Sequence, residues 1–320
     1  MRIDKKPIDI TPRDDAFHGS RHHIAAEWWY FDAIFNNNYS IHVGVKTFTW
    51  RNLGLVSPLI EVYRDGEIKV EAKKVFLLRD AILSKETPFI SLRGKPIMYL
   101  DKEKLSRNNK WVYHVDLELP SCSTKLEFTG TTNGWVFKTP SESWAVALPK
   151  AVVRGEINLD GDSIPVEGVG YHDHNWNYTI LTVMNYGIGW YWGKVTTSAY
   201  SLVWAQIEKS DHSFERYAVI NVDGGRFYNI PSNKMNIIFE DFVRSHLRRT
   251  PTTIILRIHD TIDGTPIDVD VKMKAKGIHY NAVITAPYWR YHVASEGTIS
   301  IDSRVEKVNK TQIMEILKFS

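Results

Sequence analysis

The segment EWWYFDAIFNNNYSIHVG at residues 27–44 returns in altered form as GWYWGKVTTSAYSLVWA at 189–205. Trp28, Trp29 and Tyr30 align with Trp190, Tyr191 and Trp192, and Tyr39-Ser40-Ile41 aligns with Tyr200-Ser201-Leu202 after one gap. A second pair of stretches matches near the ends of the two copies. Arg154-Gly155-Glu156-Ile157-Asn158-Leu159-Asp160 lies 142 positions before Glu296-Gly297-Thr298-Ile299-Ser300-Ile301-Asp302, and the same offset sets Asp173 opposite Glu315. Agreement at both ends predicts two copies of one unit, with domains at 1–178 and 179–320. The offset is 162 at the start, so the first copy is longer by about twenty residues. The lysine- and proline-rich stretch 84–110 has no clear periodicity and is read as the source of that excess, a long loop or lid.

Each copy reads as antiparallel β-structure. Asn36–Asn38 separates two aromatic and β-branched runs in the manner of a hairpin, and Asp65-Gly66 and Asp160-Gly161 mark further turns. After the first turn Tyr39, Ile41, Val43 and Val45 alternate with Ser40, His42, Gly44 and Lys46, which predicts a strand with one face in the core and one in solvent. Further strands are expected near 57–63, 67–78, 111–119, 124–130, 134–138 and 152–159. The 11 Trp, 15 Tyr and 13 Phe suit such strands and would equally line an aromatic cavity. The fold class is therefore all-β: two tandem antiparallel barrels from an internal duplication.

The 40 basic and 37 acidic residues are interspersed, for a net charge of +3, which argues against nucleic acid as a partner. The RSHLRR run at 244–249 reads as a solvated basic turn, and contact of a barrel mouth with a membrane surface stays open. No apolar run reaches the ~20 residues of a spanning helix. The N-terminal MRIDKKPIDITPRDD lacks the apolar centre of a secretory leader. A single cysteine, Cys122, precludes an intrachain disulfide and any multi-cysteine metal site. The expected location is the cytoplasm, with peripheral membrane contact left open. Oligomeric state is not legible.

Chemistry concentrates in GVGYHDHNWN, residues 168–177, read as a strand that breaks into a turn at its glycines. In a regular strand His172 and His174 share one face and Asp173 takes the other. Either the histidine pair or the aspartate can then face inward. The i, i+2 histidines could serve one metal ion with His22, His23 or His292, but no motif ties a third ligand to them, so neither metal nor cofactor is expected. The competing reading is carboxylate chemistry. Asp173, and Glu27 beside three aromatics, sit where burial would raise a carboxyl pKa and keep a proton available near neutrality. Tryptophan and tyrosine faces would stabilise a developing cation. Glu27 alone is equally explained as a buried carboxylate that bonds backbone amides.

At these residues the sequence resembles the CrtC/AttH-like family, the lipocalin-like proteins that include carotenoid 1,2-hydratases. The matches are Glu27-Trp28-Trp29-Tyr30, Gly170-Tyr171-His172-Asp173-His174-Asn175-Trp176 and Gly189-Trp190-Tyr191-Trp192, in the family's order. The resemblance implies two lipocalin-like barrels with a shared cleft near the His-Asp-His segment and the domain junction. It also implies cofactor-independent, acid-catalysed hydration, or a related isomerisation or cyclisation, of a double bond in a hydrophobic isoprenoid or polyene. Asp173 would donate the proton, His172 and His174 would orient it, and Glu27 would position or deprotonate water. Trp28, Trp29, Tyr30, Tyr171, Asn175, Trp176, Trp190, Trp192, Lys194, Trp289 and Tyr291 would bind the ligand. The alternative is a non-catalytic carrier of a lipophilic molecule. Two departures stand out: Asn177 where the family usually has glycine, and Gly193-Lys194 where larger residues are usual.

Overall fold

The computed structural model describes residues 6–20, 23–139, 142–179, 182, 188–283 and 286–318. The chain divides into two units, Met1–Val183 and Met184–Ser320, each built on one curled antiparallel sheet. In the first, Glu67–Lys73, Leu53–Arg64, Tyr39–Trp50 and Ala25–Phe35 lead in order to Asp162–Tyr178, Ser143–Leu159, Cys122–Gly130, Val112–Leu119 and Lys95–Leu100. The second repeats this path with Phe227–Ile230, Phe214–Val222, Tyr200–Glu208 and Gly189–Thr196, then Arg304–Lys318, Ala286–Ile301, Thr265–Val283, Arg248–Ile262 and Met235–Ser245. In both units the opening aromatic strand pairs with the closing strand.

The register bears out the duplication residue by residue. Asp173 pairs with Tyr30 in the first sheet, and Glu315 pairs with Trp192 in the second, the points that the two sequence alignments bring together. Gly155 and Gly297 occupy equivalent sites with φ of 149° and 143°. A Cβ at either would lie 2.0 Å from a carbonyl oxygen of the neighbouring strand, Lys125 O or Asp270 O. Only glycine permits this backbone approach. Gly155→Ala and Gly297→Ala are each expected to cost roughly 3 kcal/mol or more in urea unfolding. Gly161→Ala, at φ 96° with open space around it, should cost only about 1 kcal/mol; equal costs at both kinds of site would refute the argument.

Two expectations are corrected. The 84–110 stretch is ordered: Phe89–Leu92 and Lys95–Leu100 form a hairpin at the sheet edge, joined on its outer side by Ala81–Leu83, and Lys102–Asn108 is helical. Arg93 and Gly94, at φ 50° and 83°, make the hairpin turn, and the Asp101 carboxylate caps the helix by accepting from the amides of Glu103 and Lys104. The strand Tyr39–Trp50 is not half-solvated either. Ile41, Val43 and Val45 enter the apolar core, while Ser40 and His42 on the opposite face are also buried, at 3% and 6% exposure.

Candidate functional site

The strand Asp162–Tyr178 lies between Ala25–Phe35 and Ser143–Leu159, and it runs on through the motif instead of breaking into a turn. Against Ser143–Leu159 its register shifts opposite Val146–Leu148 and Leu148–Ala151, and against Ala25–Phe35 it shifts between Asn175 and Tyr178. Asn177 sits there at φ 66°, a left-handed conformation that glycine and asparagine both tolerate, so this departure from the family pattern keeps the backbone requirement. Alternation sends His172 and His174 to the apolar face. His172 stacks on Phe31 with ring centroids 3.8 Å apart, and His174 stacks on Trp29 at 4.4 Å.

The short helical turn Pro12–Asp15 meets these rings. His172 Nδ1 lies 2.9 Å from the carbonyl oxygen of Tyr30, and its Nε2 lies 2.9 Å from Asp15 Oδ2, which also accepts from the Tyr113 hydroxyl at 2.5 Å. His174 repeats the pattern, with Nδ1 3.2 Å from the carbonyl oxygen of Asp14 and Nε2 2.9 Å from Glu27 Oε1. A ring whose two nitrogens both face acceptors is satisfied when both carry protons. The geometry is that of two buried histidine–carboxylate pairs. Burial by itself would raise the Glu27 carboxyl, but the His174 and His18 imidazoles outweigh it and hold it down at about 2. Amides of His18 and Gly19 donate to its two oxygens at 2.8 and 2.9 Å. Glu27 is thus no reservoir of a proton near neutral pH, contrary to the sequence expectation.

The other face of the same strand carries Tyr171, Asp173 and Asn175. Asp173 Oδ2 accepts from the Tyr171 hydroxyl at 2.8 Å and from Trp144 Nε1 at 3.0 Å, and its Oδ1 accepts from Asn175 Nδ2 at 3.1 Å. The histidines therefore do not orient Asp173; they project from the opposite side. Register places Tyr171, Asp32, His42 and Glu61 in one cross-strand row. Tyr30 donates to Asp32 Oδ2 at 3.0 Å, and His42 Nδ1 contacts Glu61 Oε2 at 2.9 Å. Tyr63 donates to that Glu61 oxygen at 3.2 Å. A Cβ at Gly44 would stand 3.2 Å from His42 Nε2, so the imidazole lies over the glycine. Burial, and next the Asp173 charge, push the Tyr171 hydroxyl well above its ordinary value, which keeps it a donor.

In the second unit the lattice point of Asp173 belongs to Glu315, which accepts from Arg290 Nη2 at 2.8 Å and Nε at 3.1 Å. Lys194, buried at 4%, holds its ammonium 5.8 Å from the centre of the Trp192 ring. The small Gly193 beside it leaves room for the Trp204 indole, whose atoms would lie 2.9 Å from a Cβ there. His292 is also buried, and burial, followed by the charges of Arg290 and Lys194, lowers its imidazole from 6.5 to about 3. A base depressed in the fold stays neutral where the unfolded chain binds a proton. Its contribution to stability is therefore present above pH 6.5 and is lost as pH falls toward 3. His292→Gln is expected to flatten the urea midpoint between pH 6.5 and 4, where one proton gives a slope up to ~1.4 kcal/mol per pH unit; an unchanged slope would count against this.

Several expected ligand-binding residues belong instead to apolar packing. Trp29 is in the first core, with Nε1 donating to the Asp15 carbonyl oxygen at 2.9 Å. Trp289 and Tyr291 are in the second core. Trp176 packs on Val136 and Ala145, Trp28 on Tyr178, and Trp190 on Tyr288 and Leu317. Of the metal-ligand candidates, His22 lies outside the described residues and His23 is exposed. His174 comes together with His18 and Glu27, their ligand atoms within 4.8 Å of one another. Sequence reasoning missed Asp15, Asp32, His42, Glu61 and Trp144.

No protein-family profile matches the chain. Over 72 residues it is 32% identical to the quinolone epoxide rearrangement protein asqO of Emericella nidulans, a match that covers 22% of this chain and 19% of that protein. Among solved structures, the AttH-like protein NE1406 of Nitrosomonas europaea superposes with a TM-score of 0.68 at 16% identity, over 98% of each chain. CghA in complex with Sch210972 gives 0.61 at 9% identity, over 92% of this chain and 88% of that one. Kievitone hydratase of Nectria haematococca gives 0.59 at 11% identity, over 98% and 94%. The chain thus carries the two-domain, lipocalin-like fold of the AttH-like proteins, as its resemblance to the CrtC/AttH-like family implies.

Proposed function

We propose that the protein is a cofactor-independent enzyme that hydrates or isomerises a carbon–carbon double bond in a small hydrophobic molecule, of isoprenoid or polyene type. The observation that carries this reading is the Asp173 carboxylate, 5% exposed yet held by Tyr171, Trp144 and Asn175 among the described residues, on a face that also bears Tyr30, Asp32, His42 and Glu61. Buried carboxylates fixed this firmly, on a sheet face that also carries an oriented imidazole, are the groups that proton-transfer chemistry needs. The indole and amide N–H groups on Asp173 only donate, and such bonds favour the ionised form. Asp173 is accordingly assigned the role of base, not the proton donor that the family resemblance suggests. His42, held at Nδ1 by Glu61, supplies the proton. Its strand is two away from that of Asp173, roughly 10 Å at ordinary strand spacing, a separation that a small substrate can span. In hydration His42 protonates one alkene carbon, water attacks the cation, and Asp173 takes the proton that water releases.

The names of kievitone hydratase and of the quinolone epoxide rearrangement protein are compatible with such chemistry. The test is incubation with isoprenoids and polyenes in water labelled with heavy oxygen, followed by chromatography and mass spectrometry. A product that gains one labelled water, or one of unchanged mass and new retention, is expected. A lipophile bound and recovered unchanged would make the protein a carrier.

A further inference from the structure

We propose that His18, Glu27 and His174 form a site for one divalent transition-metal ion of the zinc class, which clamps the N-terminal segment onto the first sheet. His174 and Glu27 stand on neighbouring paired strands, and His18 comes from the segment that precedes them. Glu27 Oε1 is 2.9 Å from His174 Nε2 and 3.4 Å from His18 Nδ1. Two ligand atoms ~2.0–2.1 Å from a tetrahedral ion lie about 3.3 Å apart, so both separations match to within a few tenths of an ångström. The surroundings also suit an ion. A metal-bound histidine donates its other N–H to a carbonyl or carboxylate, and His174 Nδ1 lies 3.2 Å from the Asp14 carbonyl oxygen and 3.5 Å from Asp15 Oδ1. The second oxygen of Glu27 is held by the amide of Gly19 at 2.9 Å.

Two buried atoms without a hydrogen-bond partner among the described residues, His18 Nδ1 and Asp15 Oδ1, both lie here, and buried polar atoms left in that state call for an explanation. An ion would give His18 Nδ1 a bond. It would replace the proton between His174 Nε2 and Glu27 Oε1, which leaves to solvent. His18, whose side chain is 28% exposed, marks the way in and leaves room for water at a fourth position. Two imidazoles and one carboxylate select zinc and its neighbours over calcium or magnesium.

The test uses untagged full-length protein freed of metal by a chelator and titrated with Co²⁺ and with Zn²⁺. Expected are one bound equivalent by calorimetry, a visible Co²⁺ band that Zn²⁺ abolishes, and a Tm that rises with free ion. His18→Ala, at a partly exposed side chain, should fold as the parent does and lose at least ~100-fold in affinity. His23→Ala, at the exposed neighbour, should bind as the parent does. Absence of stoichiometric binding, or binding that His18→Ala leaves unchanged, overturns the proposal.

Discussion

Asp15→Ala is expected to cost about 3–5 kcal/mol in urea unfolding, the penalty of stranding one partner of a buried charge pair. Asp15 and His172 are both fully buried, and the carboxylate also receives the Tyr113 hydroxyl. Without it His172 Nε2 and the Tyr113 hydroxyl both lose the buried oxygen they share. A loss that large is a sizeable part of a domain's whole stability. Replacing both partners with apolar residues, Asp15→Leu with His172→Phe, is expected to recover most of it, because a well-packed apolar pair avoids the desolvation that the ions suffer. Recovery should stop about 1 kcal/mol short, from the orphaned Tyr113 hydroxyl. An Asp15→Ala loss below about 1 kcal/mol would reject the buried-pair reading.

The duplication was legible because its markers are local. A glycine at 155 or 297 and a turn with a left-handed aspartate at 160 or 302 are demanded by the backbone itself, so they survive when side chains drift. The period of the strand was equally legible, and it correctly set His172 and His174 on one side and Asp173 on the other. What period cannot tell is which side is lined by apolar residues, since that depends on Phe31 and Trp29, more than 140 positions away in the sequence. The role of Asp15 was hidden for a related reason: Thr11-Pro12-Arg13-Asp14-Asp15 is polar and has no strand or helix period, and only folding brings it beneath the histidines. His42 was misread because a polar residue alternating with Ile41 and Val43 looks the same whether its face meets water or a second buried layer. Glu27 was rightly expected to be buried, but the sign of its pKa shift turned on His174 and His18, whose proximity no local pattern encodes.

The largest effect on activity is expected from Asp173→Asn. Asparagine has the shape of aspartate, and the site can absorb the change. The new carbonyl oxygen can keep the bonds from Trp144 and Tyr171, and Asn175, which now donates to the other oxygen, can turn its amide to present an acceptor instead. Folding stability should therefore move by no more than ~1–2 kcal/mol. Turnover of any substrate identified in heavy-oxygen water should fall by ~10²–10⁴, the usual contribution of one positioned acid or base, with KM changed only a few-fold because binding in the ground state is untouched. Glu61→Gln should act on the same reaction through His42: an imidazole that holds its proton less firmly loses it at lower pH, so the alkaline limb of the pH–rate profile moves down, while Asp173→Asn removes the basic partner. If Asp173→Asn retains turnover, the carboxylate only braces Tyr171 and Trp144. If the variant fails to fold, the donors require a charge at this point, and the acid–base chemistry must be sought along the Asp32, His42 and Glu61 row.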